Sequence, residues 1–347
     1  MNYINLGRTL KIMCRFILKG LGVMVKVFCP KCGRIGYLIT LRVKGYRYFA
    51  VNHNTRICYI GRNPVLKVPY CKLKAFRFFG SDTPILDVIL SLVPPHHTYV
   101  EVFGGSAVVL LSKPPSKVEV YNDKDLDLYN LFLCYRDHID EMVEEAKYIL
   151  YHRRLFMDFK EELKKPFKPP NPRRAIIFLA SIIMSVNGEV NGGYASSVKV
   201  NNSRHLKYLI EEHLTKIHKR LRRVMIECLD FEELIKRYDS EDTWFYLDPP
   251  HIGNERCYRG NFTIRDHERL YRVLSKVKGK WLLRYTHHPW VIEQYKDYSI
   301  IVIEYTKSSS VVKGENRSEG KTLLIANYKL PPNPKKVGGK ELYRSIT

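Results

Sequence analysis

Residues Thr243-Trp244-Phe245-Tyr246-Leu247 form an apolar run that stops at Asp248-Pro249-Pro250-His251. Two consecutive prolines fix φ and remove both N–H donors, so the chain leaves a sheet there in a rigid, extended turn. That turn presents carbonyl oxygens and one carboxylate. The carboxyl end of a strand is where α/β folds place their chemistry. A second candidate is the strand Thr98-Tyr99-Val100-Glu101-Val102-Phe103, which runs straight into Gly104-Gly105-Ser106-Ala107 and an apolar helix start. Such a turn brings backbone N–H groups close to a nucleotide-like ligand.

The next strand, Lys117-Val118-Glu119-Val120-Tyr121-Asn122, ends in Asp123. An acid about 20 residues past the glycines is placed to bind the two hydroxyls of a ribose. No third glycine, long pyrophosphate loop or GxxxxGK[ST] cradle follows. The pattern therefore favours an adenosine without a diphosphate, such as S-adenosylmethionine, over NAD or ATP.

A third set could hold a metal. Cys29-Pro30-Lys31-Cys32-Gly33 is a knuckle in which two thiolates can point at one ion. His53 and Cys58 offer two more ligands, with Cys71 an alternative to Cys58. Between the pairs, residues 37–43 and 46–51 alternate like a hairpin turned at Lys44-Gly45. A Cys3His zinc ribbon is expected, held together by its Zn2+. Arg42, Arg47 and Arg56 interleave with Tyr46, Tyr48 and Phe49, which suits phosphate contact and base stacking or the ribbon's own core.

The elements that must position these residues sit in a chain of 347 residues with 45% hydrophobic and 12% aromatic content. That apolar content excludes a fully disordered chain. Lys and Arg number 58 against 35 Asp and Glu, a net +23. Residues 1–81 hold 16 of these cations and no acid, leaving 42 against 35 from Asp82 onward. A field of this sign makes nucleic acid the default partner and an anionic membrane surface the runner-up. No window is apolar enough to span a membrane. The scattered Cys14, Cys134, Cys228 and Cys257 imply a reducing, cytoplasmic setting. From about residue 75 strand and helix patterns alternate, giving an α/β fold interrupted by a mostly helical stretch between Asp123 and Asp230. Within it, a helix over 205–224 carries Lys216, Lys219, Arg220, Arg222 and Arg223, and residues 187–194 form an Asn/Gly loop.

Taken in order, Tyr99–Ala107, Tyr121-Asn122-Asp123, Tyr246–Pro250, Asp266-His267 and Leu323–Tyr328 resemble the D12 class of adenine-specific DNA N6-methyltransferases, the Dam-like family. The resemblance implies a Rossmann-like S-adenosylmethionine-dependent methyltransferase sheet acting on double-stranded DNA, with the target adenine flipped out of the duplex. By that likeness Asp248 and the Pro249 carbonyl accept hydrogen bonds from the adenine amino group, and Pro250 holds the turn. His251 then stands where the family has a stacking tyrosine. Glu101, Phe103, Gly104, Gly105 and Ser106 would line the methionine and ribose end of the cofactor, and Asp123 its ribose. Asp230-Phe231 would meet its adenine, and Phe79-Gly80 belong to the leading cofactor segment.

Three further positions depart from the family pattern: Ala107 for a glycine, Val102 for a proline, and Phe78-Phe79-Gly80-Ser81-Asp82 for Trp-x-Gly-Gly-Lys. The implied organisation is a basic extension (1–23), a zinc-ribbon-like domain (24–62) and a first, cofactor-binding part of the methyltransferase domain (63–134). A target-recognition insert (135–228), a second, catalytic part (229–330) and a flexible tail (331–347) follow. In the insert, the basic helix would grip phosphates and the Asn/Gly loop would touch base edges. His267 reads as structural and Thr263 as a helix cap. The alternatives are the same chemistry on RNA, or a catalytically weak DNA-binding module motivated by His251, Ala107 and Asp82.

Overall fold

The computed structural model describes residues 26–28, 35–43, 46–53, 56–61, 73, 75–76, 85–189, 192–196, 213–253, 262–306, 319–330, 336–337, 340–341 and 344–346. They fall into two units, Met1–Cys71 and Lys72–Thr347.

The first unit is an antiparallel sheet, β1 (Lys26–Phe28), β2 (Ile35–Val43), β3 (Tyr46–Asn52) and β4 (Ile57–Gly61), ordered as in the sequence. The alternating run turns where expected, with Val43 opposite Tyr46 and Tyr37 opposite Asn52. Cys58 pairs with Val51, and the His53 N–H donates to the Arg56 carbonyl at 2.9 Å across the β3–β4 turn. Cys29, Cys32 and Cys71 lie outside the described residues. Among the described residues no group of three or more His, Cys, Asp or Glu could hold a metal ion, so the sheet is observed and a zinc site is not.

The second unit is mixed α/β. Its strands are β5 (Thr98–Glu101), β6 (Val118–Asn122), β7 (Val224–Glu227), β8 (Thr243–Leu247), β9 (Lys280–Thr286), β10 (Ser299–Thr306) and β11 (Glu319–Ala326). A short pair follows, β12 (Lys336–Val337) with β13 (Lys340–Glu341), and then β14 (Arg344–Ile346). The main sheet runs β14-β10-β11-β9-β8-β5-β6-β7. From β9 to β7 all neighbours are parallel, while β11 lies antiparallel between β9 and β10. Residues 331–347, expected as a flexible tail, thus contribute a strand: Ile346 pairs with Ile300, because the outer edge of β10 offers unpaired backbone groups.

Ten helices are described in this unit: α1 (Leu86–Ser91), α2 (Val108–Ser112), α3 (Leu126–Asp137), α4 (Ile139–Ala146), α5 (Arg153–Glu162), α6 (Pro172–Met184), α7 (Leu214–Leu221), α8 (Phe231–Tyr238), α9 (Ile264–Leu274) and α10 (Pro289–Gln294). The apolar runs of β5 and β8 are buried on both faces, as parallel strands under helices must be. Leu234, Ile235, Leu270 and Leu274 from α8 and α9 pack with Val100, Phe245 and Trp281 of the sheet. Each fully buried side chain of this size contributes roughly 1.5–3 kcal/mol. No helix among the described residues is long and apolar enough to cross a membrane.

Helices α3 to α7 occupy the stretch between β6 and β7, and a buried ion pair ties them together. Arg174 of α6 donates to Asp127 of α3 at 2.7 and 3.2 Å and to the carbonyls of Glu162, Leu163 and Lys165 at 2.8 to 3.1 Å. It therefore satisfies carbonyls that the end of α5 leaves without helical partners. The described part of the basic helix is α7, residues 205–212 lying outside the described residues, and Arg220 is turned inward. Three residues on from buried Ile217, it donates to both oxygens of Glu119 on β6 at 2.6 and 2.9 Å and to the Leu110 carbonyl at 2.6 Å. Arg220 is thus engaged within the fold instead of facing a phosphate, while Lys216, Lys219, Arg222 and Arg223 remain exposed.

Replacing Arg174 with Ala leaves the Asp127 carboxylate buried without its cation. The expected cost is about 3–5 kcal/mol, read as a lower denaturant midpoint in urea unfolding. An unchanged midpoint would show that the pair does not organise these helices.

Candidate active site at the carboxyl ends of β5 and β8

Strand order reverses between β5 and β8: the chain moves outward to β6 and β7 on one side and to β8 and β9 on the other. A crevice opens at such a point beyond the strand ends. The Val102 N–H donates to the Tyr246 carbonyl at 3.0 Å, so the two chains leave the sheet side by side. One continues into the glycine turn, the other into Asp248-Pro249-Pro250-His251.

The glycine turn is built on Tyr121. A Cβ at Gly104 would lie 2.1 Å from the Tyr121 ring, so only glycine fits. The Tyr121 hydroxyl donates to the Gly105 carbonyl at 3.0 Å. Gly105 and Ala107 both have positive φ, 47° and 53°. For Ala107, standing where the family pattern has glycine, that conformation costs about 1–2 kcal/mol. Ser106 is buried and its carbonyl accepts from the Ala75 N–H. Glu101 is 2% exposed, and its Oε2 accepts from the Tyr99 hydroxyl and the Leu110 N–H, each at 2.7 Å. It is turned toward the start of α2, where a carboxylate meets unpaired helix amides.

Asp123 follows β6 and accepts from the Gly105 and Asp125 amides at 2.8 and 2.9 Å. Burial, with the nearby Asp125 carboxylate, pushes its carboxyl up to about 7 despite those two donors. Asn122 gathers three segments: its side chain donates to the carbonyls of Val102 and Leu229 at 2.9 and 3.2 Å and accepts from the Leu229 N–H at 2.8 Å. That fixes the loop leading to Asp230 and Phe231.

Asp230 caps α8 through the Glu232 N–H at 3.0 Å and binds Arg269 of α9 at 2.8 and 2.9 Å. Burial alone would raise its carboxyl, but Arg269 and the Glu232 amide outweigh it and hold Asp230 below the usual carboxylate range. Arg269 also lies over the Phe231 ring at 4.1 Å. Phe231, Phe103 and Phe262 stand 5.8 to 5.9 Å apart, ring centre to ring centre. An aromatic corner beside a carboxylate and a glycine turn fits an adenosine, which needs apolar faces and an acceptor for its ribose hydroxyls.

On the β8 side, Arg284 of β9 donates to Asp248 Oδ2 at 2.9 Å. His251 Nε2 lies 3.6 Å from Asp248 Oδ1, beyond hydrogen-bonding distance. The His251 ring is 7% exposed and tilted against Tyr285, centre to centre 6.0 Å. Burial, with Arg284 and His267 nearby, holds its pKa well below 6.5, so the imidazole is neutral at pH 7. Tyr285 in turn meets His267 Nδ1 at 2.6 Å, inside the core. Thr263 and Asp266 form a capping box at the start of α9, as that segment's sequence suggests.

The structure thus places Glu101, Phe103, Gly104, Gly105, Ser106, Asp123, Asp230 and Phe231 at the carboxyl ends of β5, β6 and β7 and in the turns that follow, with Asp248 through His251 at the end of the adjoining β8. Phe79 and Gly80 lie outside the described residues. Sequence reasoning missed Asn122, Arg269 and Arg284. Arg284 left a signal, a cation inside the otherwise apolar strand Trp281-Leu282-Leu283-Arg284-Tyr285.

The sheet order, with parallel strands reversing direction of growth between β5 and β8, defines a doubly wound α/β architecture. The family model for D12 class N6 adenine-specific DNA methyltransferases matches residues 78–309, and the chain belongs to that family. It is an adenine-N6 DNA methyltransferase, and the family's methyl donor is S-adenosylmethionine. The chain is also similar to the Type II methyltransferase M.MjaIII of Methanocaldococcus jannaschii, at 26% identity over 287 residues covering 73% of this chain and 98% of that protein.

The raised Asp123 carboxyl has a consequence for stability. Its contribution is fully present below the ordinary aspartate value of about 3.9 and is lost as pH rises through about 7. The unfolding temperature of the cofactor-free chain should fall between about pH 4 and 7, and more gently in Asp123→Asn. Identical pH slopes for the two proteins would rule this out.

Proposed function

We propose that the chain methylates a flipped adenine in double-stranded DNA at a specific site, with Asp248 and the Pro249 carbonyl as acceptors for the amino group. The observation that carries this reading is the placement of Asp248 at the end of β8, held by Arg284, beside the glycine turn of β5. Accepting both amino hydrogens draws the nitrogen lone pair out of conjugation with the ring and makes it nucleophilic. Bound S-adenosylmethionine supplies the electrophilic methyl group. Asp123 would take the ribose hydroxyls of that cofactor, and the Phe103, Phe231 and Phe262 corner its adenine. Glu101 and the turn from Gly104 to Ser106 would face its methionine end, and Phe79-Gly80 would close over it. The buried His251 would form a wall of the base pocket. The likeness to a Type II methyltransferase supports a place in restriction and modification, and the scattered cysteines a cytoplasmic setting.

Labelled methyl transfer to unmethylated duplex DNA, followed by nucleoside analysis, tests this. N6-methyladenine is expected with the parent chain, with Asp248→Ala at least about 10³-fold slower, since it loses positioning and electrostatic stabilisation together. Transfer to structured RNA but not to duplex, or an unimpaired Asp248→Ala, would reject the reading.

The first unit completes the proposal as a DNA-gripping module stapled by zinc. Its sequence has no carboxylate to neutralise its cations, and the register sets Arg42 opposite Arg47. His53 and Cys58 flank one tight turn, which suits half of a tetrahedral zinc site, with Cys29 and Cys32 as the other half.

Two measurements follow. Replacing Arg42, Arg47 and Arg56 with Gln should weaken DNA binding and take about 0.9 off the log–log salt slope for each phosphate that is no longer neutralised. Cys29→Ser/Cys32→Ser should lose its zinc by elemental analysis. An unchanged slope or unchanged zinc content would discard the corresponding half of this proposal.

A further inference from the structure

We propose that Arg284 is a positioning residue for methyl transfer: from β9 its guanidinium holds one oxygen of Asp248 and so aims the other at the amino group of the target base. This rests on the role given to Asp248 above.

Register puts the two residues level. Leu247 of β8 pairs with Leu283 of β9, so Asp248 and Arg284 are the next residues on neighbouring parallel strands. The bond runs from Nη1 to Oδ2 at 2.9 Å, and Arg284 is only 5% exposed. Its strand neighbours Leu282, Leu283 and Tyr285 are all buried. Burying a guanidinium there costs desolvation that an apolar residue of similar volume would avoid, and buried ion pairs seldom repay that cost in stability.

What the pair does provide is orientation. A carboxylate following Leu247 has rotational freedom about its side-chain bonds, and a donor fixed in a rigid strand removes it. The remaining oxygen, Oδ1, lies on the side of His251. There stands the imidazole of His251, whose pKa burial above all, with Arg284 and His267 nearby, holds well below 6.5. Asp248 is thereby held in one orientation, with Oδ2 on Arg284 and Oδ1 turned toward His251.

The test is steady-state methyl transfer to unmethylated duplex DNA by the full-length chain, with Arg284→Met and Arg284→Lys. Losing the tie should misplace the carboxylate and lower kcat roughly 10²-fold in Arg284→Met. KM for DNA and the cofactor Kd, measured by calorimetry, should stay within about threefold of the parent, since Arg284 touches neither in this scheme. Arg284→Lys retains the charge but not the planar fork and should recover about tenfold over Met. If Arg284→Met fails to fold, Arg284→Lys carries the test alone, with a kcat about tenfold below the parent at unchanged cofactor Kd.

A folded Arg284→Met with kcat near the parent's overturns the proposal. So does a loss shared equally by kcat and cofactor binding, or a Lys variant no better than Met. Asp248→Asn separates the two levels. If Asp248→Asn stays active, the reading of Asp248 is at fault. If it is dead while Arg284→Met is unimpaired, only the role of Arg284 fails.

Discussion

Burial of the parallel strands β5, β6 and β8 on both faces is the constraint from which the rest follows. Strands covered on both sides have no room for solvated side chains, so they read as near-continuous apolar runs. Glu119 inside β6 is buried against Lys113 and Arg220, and the other polar groups gather where the strands stop. Because the strand order reverses between β5 and β8, their carboxyl ends diverge into loops that cannot cover one another. The glycine turn, Asp123, Asp230 and Asp248 are therefore neighbours through topology, although as many as 147 residues separate the first glycine, Gly104, from Pro250 and His251. Asn122 closes this arrangement, for one side-chain amide bonds the loops after β5 and β7 from the end of the strand between them.

Where charge does enter the interior, it joins elements that apolar packing alone would leave free to slide. Arg174 and Asp127 lock α6 to α3 and hold the end of α5. Arg220 and Lys113 converge on Glu119, so α7 is anchored to β6. Arg269 clamps Asp230 and stacks on Phe231, fixing the loop before α8 against α9. Hydrophobic contact is non-directional, whereas a guanidinium fork against a carboxylate tolerates one geometry. Buried pairs of this kind contribute register more readily than net stability.

Much of this was legible in the sequence because it is local. The stop of an apolar strand at Asp248-Pro249-Pro250, the glycine turn after β5, Asp123 after β6 and the Thr263 cap each depend on residues within a few positions of one another. The sheet partners of Arg284, Arg269 and Arg220 were not legible, since a single cation in a run of residues does not announce which distant carboxylate it will meet. Arg220 was misread for that reason: a basic helix looks like a phosphate grip until Glu119, 101 residues away in sequence, claims one of its cations. The terminal strand β14 escaped for a different reason. Its three residues carry little β signal, and pairing is imposed by the open edge of β10. Glu101 ends β5, but its bond to the Leu110 amide depends on where α2 begins, which the preceding turn decides.

The distribution of charge takes on a sharper meaning once these pairs are known. The second unit carries most of the chain's arginines, yet Arg174, Arg220, Arg269 and Arg284 are each neutralised by a carboxylate of the same fold. Their charge organises the enzyme and contributes little to its external field. Residues 1–81 have no Asp or Glu, so no side-chain carboxylate from that stretch can neutralise any of their 16 cations. An uncompensated field of that size acts over a Debye length of about 10 Å at 0.1 M salt. Close to a polyanion it raises encounter rates without selecting a sequence. Not every cation of the second unit is committed in this way, since Lys216, Lys219, Arg222 and Arg223 remain exposed on α7 and just after it. The paired arginines of the second unit serve as internal struts, whereas the stretch without acid holds no carboxylate of its own with which its cations could pair.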